Sequence, residues 1–168
     1  MGLDISYCRD AALAPDAELD DDSNPVDWDA YTKVRINLEF QSQADDLVDG
    51  GIYSCGAGDG FRAGSYGGYG RWREQLAELA GYAPAEDEYR HYHAAGAWQA
   101  GSGPFYELIY FSDCEGVIGS KTSAKLAADF SEYQGKAHAH PDDWFRNQYA
   151  LWRKAFETAA QNGFVDLH

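Results

Sequence analysis

A chain of 168 residues is long enough for one well-packed domain and too short for two of ordinary size. Acidic residues outnumber basic ones by 28 to 13, which gives a formal net charge of −15. Because phosphate backbones and anionic membranes repel such a chain, its charge argues against direct binding of nucleic acid or lipid. We therefore expect a single domain, residues 1–168, whose partners are proteins or small molecules.

The cysteines and the N-terminal residues indicate the cellular compartment in which the protein works. No basic region followed by an apolar run opens the chain, and no stretch reaches membrane-spanning length. Cys8, Cys55 and Cys114 form no CxxC pair, and any disulfide pairing leaves one of them over. Reduced thiols fit this pattern best, and we expect a cytoplasmic protein.

Two strands and an acidic excursion are predicted in the first 40 residues. Apolar and polar residues alternate over residues 3–8 and again over residues 31–40, which is typical of half-buried strands. Residues 10–29 between them are rich in Asp, Ala and Pro, and Asp20–Asp22 are consecutive. This segment cannot bury enough apolar surface to offset ordering, so we interpret it as a solvated loop or excursion. Its acids lack the ligand spacing of a calcium-binding loop.

The middle of the chain predicts three strands and one helix. Residues 52–55 are a short strand that leads into a glycine-rich run. Residues 69–80 show helical spacing of apolar side chains, and Gly81 follows at the position of a left-handed cap. Residues 89–99 have the pattern of a strand. The nearly all-apolar residues 105–111 (FYELIYF) indicate a central strand covered on both faces.

Two helices are predicted to close the chain. The first covers residues 120–134, and the second covers residues 141–162, with aromatic residues repeating at steps of four and three. Together these patterns predict an α+β fold, in which a small, mostly antiparallel sheet packs against about three helices.

The glycine-rich residues 56–70 precede the predicted helix and are a candidate anion site. Glycines let a ligand approach the backbone, and the N-terminus of a helix offers N–H donors and a positive dipole end. Arg62 could hold an anion, Ser65 could donate a hydrogen bond, and Tyr66 and Tyr69 could stack on a base or sugar. No GxxxxGK[ST] motif is present, and a tight loop with packed tyrosines is the structural alternative.

An acidic run, YFSDCEGVIG at residues 110–119, supplies two further candidates, Asp113 and Glu115. It is similar to the DxDG motif of aspartate-nucleophile phosphatases. Glutamate as the second acid would misplace a general acid or metal ligand, however, and too little chain follows for the remaining catalytic groups. The structural alternative is that Asp113 caps a helix.

No metal or cofactor is expected. The pairs His91-x-His93 and His138-x-His140 could chelate a metal from one face of a strand, but no cysteine or carboxylate stands at matching spacing. A Ser-His-Asp arrangement stays open, although no GxSxG motif supports it.

The runs MGLDISYCRD, FRAGSYGGYGRW and FSDCEGVIG, with the sequence around them, resemble a group of small uncharacterised proteins of tailed phages and prophages. The resemblance implies a phage accessory protein that works in the cytoplasm of a bacterial host. Two hypotheses follow. The first is a binding protein, not an enzyme, that inhibits or sequesters a host defence component: either a protein with a basic groove or a nucleotide-like small molecule held by Arg62. The alternative is a small enzyme acting on a phosphate-containing substrate, with Asp113 and Glu115 in acid–base or metal roles.

Overall fold

Seven strands and six α-helices are present in the computed structural model, which describes residues 2–86, 92–111 and 115–168. The strands are β1 (Leu3–Arg9), β2 (Ala12–Leu13), β3 (Tyr31–Lys33), β4 (Ile52–Ser54), β5 (Ala57–Gly64), β6 (Gly116–Ile118) and β7 (Phe164–Leu167). The helices are α1 (Tyr66–Ala80), α2 (Tyr92–Ala100), α3 (Tyr106–Tyr110), α4 (Ser120–Glu132), α5 (Gln134–His138) and α6 (Asp143–Ala159), with a 3-10 segment at Leu38–Ala44. None of these helices combines the length and the apolar character needed to cross a membrane.

A four-stranded antiparallel sheet, in the order β5-β1-β7-β6, is the centre of the fold. Leu3, Ile5 and Tyr7 of β1 point to the helical side and are buried, whereas Ser6 between them is exposed on the other face. The strands β2, β4 and β3 form a separate antiparallel sheet in the order β2-β4-β3. The α+β class predicted from the sequence is confirmed.

Helix α6 crosses the helical side of the four-stranded sheet and supplies the centre of the core. Asp142 caps its start by accepting a hydrogen bond from the Trp144 N–H at 2.9 Å. Its Trp152 side chain is fully buried and stacks on Trp72 of α1 with ring centroids 5.4 Å apart. The apolar stripe predicted for this helix is therefore the main contact between the helices and the sheet.

The opposite face of the sheet carries a smaller apolar cluster. Cys8 and Phe164 from the four-stranded sheet pack there with Val34 and Tyr53 from the second sheet and its flanks. Cys8 also forms a disulfide with Cys55, which follows β4, with the two Cα atoms 5.9 Å apart. The expectation of reduced thiols is wrong for these two cysteines, because the packing of the two sheets brings them within bonding distance.

Four of the expected elements have a different structure. Residues 105–111 contain the helix α3, and residues 92–100 of the second expected strand form α2, while residues 89–91 lie outside the described residues. The strand expected over residues 31–40 ends at Lys33. The expected glycine loop is mostly the strand β5. The strands β6 and β7 were not predicted at all.

Candidate functional site

Arg62 lies on β5, directly opposite Asp4 of β1, and not in a loop at a helix N-terminus. Its guanidinium Nη1 is 3.3 Å from the Asp4 Oδ2, and the two side chains are 61% and 46% exposed. The glycines that precede Arg62 in the chain are explained by the packing of β5 against β1. A Cβ at Gly58 would lie 2.6 Å from the Tyr7 carbonyl oxygen, so the close approach of β5 to β1 requires glycine there.

Two of the other expected ligand residues act inside the fold. Ser65 is the N-cap of α1 and accepts a hydrogen bond from the Gly68 N–H at 3.1 Å. Tyr69 is fully buried, and its hydroxyl donates to the carbonyl oxygens of Leu108 and Phe111 at 3.4 Å. Tyr66, in the first turn of α1, is 37% exposed. Of this group Tyr69 alone is buried, and Arg62, Ser65 and Tyr66 lie at the surface, with the Ser65 side chain engaged in the cap.

Glu115 shares a sheet face with Arg62 but lies at the other edge. Asp4 exchanges two backbone hydrogen bonds with His168, and Glu115 precedes Gly116, whose ladder partner is Leu167. Arg62 and Glu115 are thus at opposite ends of a row across four strands, roughly 14 Å apart at a strand spacing of about 4.8 Å. Asp113 lies outside the described residues. The structure does not gather the described candidates into one pocket.

A cleft of about 480 Å³ opens beside Glu115, between the exposed face of the four-stranded sheet and the chain around β3. Asp166 and His168 contribute the sheet wall together with Glu115, and Lys33 and Arg35 contribute the opposite wall. The cleft therefore has an acidic side and a basic side, and its volume lies within the range of small-molecule sites.

Asp166 is the most perturbed acid of this cleft. The pKa of its carboxyl is raised to about 7, chiefly by burial and in addition by the nearby negative charge of Glu115, while the positive charge of Arg35 opposes the change. At neutral pH the side chain consequently exchanges between a neutral hydrogen-bond donor and an anion. Groups with pKa values near the working pH are concentrated at functional sites.

Ser6 and His168 form the floor of the cleft next to Asp166. The Ser6 hydroxyl and the His168 Nε2 are 2.9 Å apart, and Asp166 is the ladder partner of Ser6. The sequence left a Ser-His-Asp arrangement open without locating it. No local signal could have done so, because the pairing of β1 with β7 joins residues from opposite ends of the chain.

The acidic excursion (residues 10–29) lies next to the cleft and is ordered by its own contacts. Asp20 accepts hydrogen bonds from the N–H groups of Asp22 and Asn24 at 2.9 and 2.8 Å, and these bonds lower its pKa. Lys33 donates to the Ser23 carbonyl oxygen at 2.8 Å, which ties the excursion to β3. The segment was predicted as a solvated excursion, and its eight acids are indeed all exposed.

The same excursion exposes large apolar side chains. Leu13 is 54% exposed, Leu19 46%, Val26 55% and Trp28 60%. Single exposed apolar side chains are common on protein surfaces, but these four large ones lie in one segment and are available for contact with a partner. The excursion is therefore the most acidic segment of the chain, and it also exposes four large apolar side chains.

The described residues contain no group of three or more His, Cys, Asp or Glu side chains placed to hold a metal ion. Comparisons with known proteins add no assignment: no protein-family model, curated protein or solved structure matches the chain. The resemblance to phage proteins stays a prediction, and functional inference rests on the residues themselves.

Proposed function

We propose that this protein acts by binding rather than catalysis, and that its acidic excursion occupies a basic groove on a partner protein. The observation that carries the proposal is the combination of charge and apolar exposure in residues 10–29. Eight of these 20 residues are acidic and none is basic. Leu19, Val26 and Trp28 stand exposed among them.

Each part of this surface has a separate role in binding. The exposed carboxylates complement lysines and arginines that line a groove, and they accelerate association through long-range attraction. The apolar side chains would form the buried centre of the interface. Tryptophan is among the residues that contribute most to the free energy of binding in such centres. A groove that normally receives a phosphate backbone has the required charge, so occupation by the excursion would inhibit its owner.

The excursion is held in shape before it meets a partner. The turn around Asp20 is closed by side-chain and backbone hydrogen bonds, and a single bridge pairs Leu19 with Pro25. Lys33 anchors the same turn from β3. Because these contacts fix the backbone in advance, less conformational entropy is lost on binding than for a disordered acidic tail.

The resemblance to tailed-phage proteins favours a partner from the bacterial host, and we infer that this partner is a component of host defence. The Cys8–Cys55 disulfide is typical of oxidising compartments, so in a reducing cytoplasm the chain would act as the dithiol. Partner binding should therefore persist in the presence of a reductant, since neither cysteine lies within the excursion's exposed surface.

Affinity capture from the bacterial host, followed by mass spectrometry and binding measurements with the purified partner, tests the proposal. Two variants remove one component each: the triple substitution Asp20→Asn, Asp21→Asn, Asp22→Asn removes charge, and Val26→Ser removes apolar surface. The matched control is Leu38→Ala, because Leu38 is 77% exposed and lies outside the excursion.

We expect a partner with a basic groove that binds the wild type and the control equally. The triple variant should bind more weakly, and its affinity should depend less on salt because fewer charges take part. Val26→Ser should weaken binding without changing the salt dependence. Equal binding by all four proteins, or a partner surface without basic residues, would show that the excursion is not the interface.

A further inference from the structure

Lys33 and Arg35 give the basic wall of the cleft two positive charges that a ligand could contact. Among the described residues, Arg35 makes no ion pair within 4.0 Å, whereas Arg62 and Lys154 each pair with a carboxylate. Lys33 is bonded only to neutral oxygens, the Ser23 carbonyl at 2.8 Å and the Asn24 amide at 3.3 Å. Arg35 lies near enough to Asp166, and Lys33 near enough to Asp20, to lower the pKa of each carboxyl, but neither cation is in ion-pair contact, so both can still receive an anionic group from a ligand.

The rest of the cleft is suited to an aromatic ring with polar edges. Trp28 lines the cleft and is 60% exposed, so its indole face is available for stacking. The Ser6 hydroxyl and the His168 ring, 2.9 Å apart, place hydrogen-bonding groups at the floor. The volume of about 480 Å³ accommodates a small organic molecule with a ring and one charged group.

We propose that this cleft binds a small planar ligand carrying a phosphate group, with the phosphate on Arg35 and Lys33 and the ring on Trp28. The guanidinium fork of Arg35 matches phosphate oxygens, and the Lys33 ammonium adds a second charge. This site shares Trp28 with the excursion, but Asp20–Asp22 and Val26 do not line the cleft, so substitutions of those residues test the protein interface alone. A nucleoside monophosphate has the required chemistry.

The acidic wall makes the affinity depend on pH. Below pH 7 the Asp166 carboxyl is largely protonated and donates a hydrogen bond, while above pH 7 it becomes an anion that repels phosphate. The charged and titratable groups that line the cleft with it are Glu115, Lys33, Arg35 and His168. Because His168 shares the cleft with Asp166, the variant His168→Gln is needed to separate its contribution from that of Asp166.

Isothermal titration calorimetry with AMP, GMP, CMP and UMP at pH 6 and pH 8.5 tests the inference. At least one nucleotide should bind the wild type, and more tightly at pH 6. The corresponding nucleoside and inorganic phosphate should each bind much more weakly, because each lacks one of the two recognised parts. Arg35→Gln should weaken nucleotide binding roughly 10- to 100-fold, as expected for a lost charged hydrogen bond.

The matched control is Arg62→Gln, which removes an exposed arginine from the same sheet face outside the cleft and should leave the affinity unchanged. Trp28→Leu should reduce it, and Asp166→Asn should retain binding at pH 8.5. Absence of binding for all four nucleotides at millimolar concentration would overturn the inference, as would equal losses in Arg35→Gln and Arg62→Gln. The triple Asp-to-Asn variant should bind nucleotide as the wild type does. A result that refutes the protein interface can therefore be told from a result that refutes the nucleotide site.

Discussion

Replacing Asp166 with asparagine should stabilise the protein in alkaline solution and have little effect in acid. The carboxyl has a pKa of about 7 in the folded chain against an ordinary value of 3.8, chiefly because it is buried. The folded protein therefore binds more protons than the unfolded chain between these values, and stability falls as the pH rises through that interval. Asparagine does not ionise, so the variant avoids this loss.

The size of the effect follows from the two pKa values. A difference of about 3 in pKa corresponds to about 4 kcal/mol, since each pKa unit is equivalent to about 1.4 kcal/mol. Because the residue keeps some contact with solvent, we reduce this figure and expect Asp166→Asn to raise the free energy of unfolding by about 2–4 kcal/mol at pH 8.5. At pH 4 the two proteins should be nearly equal.

Urea unfolding of wild type and variant at several pH values between 4 and 9 measures this difference directly. The control is Asp4→Asn. Asp4 lies on β1, on the same face of the sheet as Asp166, and its side chain is 46% exposed, so the variant should change the free energy of unfolding by less than about 1 kcal/mol at every pH. A stability difference between wild type and Asp166→Asn that does not vary with pH would refute the burial argument.

Substitutions at three further positions test the fold. Trp152→Ala should lower the free energy of unfolding by about 3–5 kcal/mol, because it empties a fully buried site between the helices and the sheet; an unchanged melting temperature would contradict this. Ser65→Ala should cost about 1 kcal/mol through loss of the α1 cap, and Ser65→Gly should recover most of it in the same denaturation assay. Cys8→Ser should destabilise the protein by about 2–4 kcal/mol under oxidising conditions, since the disulfide closes a loop with a sequence separation of 47. In a reductant, the wild type should lose most of that advantage, and an equal gap under both conditions would assign the effect to packing.

The helices and strands with a clear period were predictable from the sequence, and those without one were not. The apolar stripe of α6 and the alternation of β1 each identify one face, so both were predicted. The run at residues 105–111 is apolar except for Glu107 and has no period that separates helix from strand. It forms α3, whose carbonyl groups receive hydrogen bonds from Tyr69 and Arg73 of α1, contacts that only the tertiary structure supplies.

The candidate site was less predictable than the fold. Glycine density before a helix indicated a ligand loop, but the close approach of β5 to β1 accounts for those glycines, and Arg62 became part of a strand. Of the predicted site residues that the structure describes, Glu115 alone lines the cleft. The remaining groups come from β1, from β7 and the residue after it, and from the chain around β3, and their meeting depends on long-range pairing that leaves no local pattern.

The central claim is that the acidic excursion is the protein's binding surface. Its most direct test is the affinity of the captured host partner for the wild type and for the triple Asp20–Asp22 variant, each measured at low and high salt. The account predicts tight, salt-sensitive binding for the wild type, with weaker and less salt-sensitive binding for the variant. Identical affinities and identical salt dependence would contradict it.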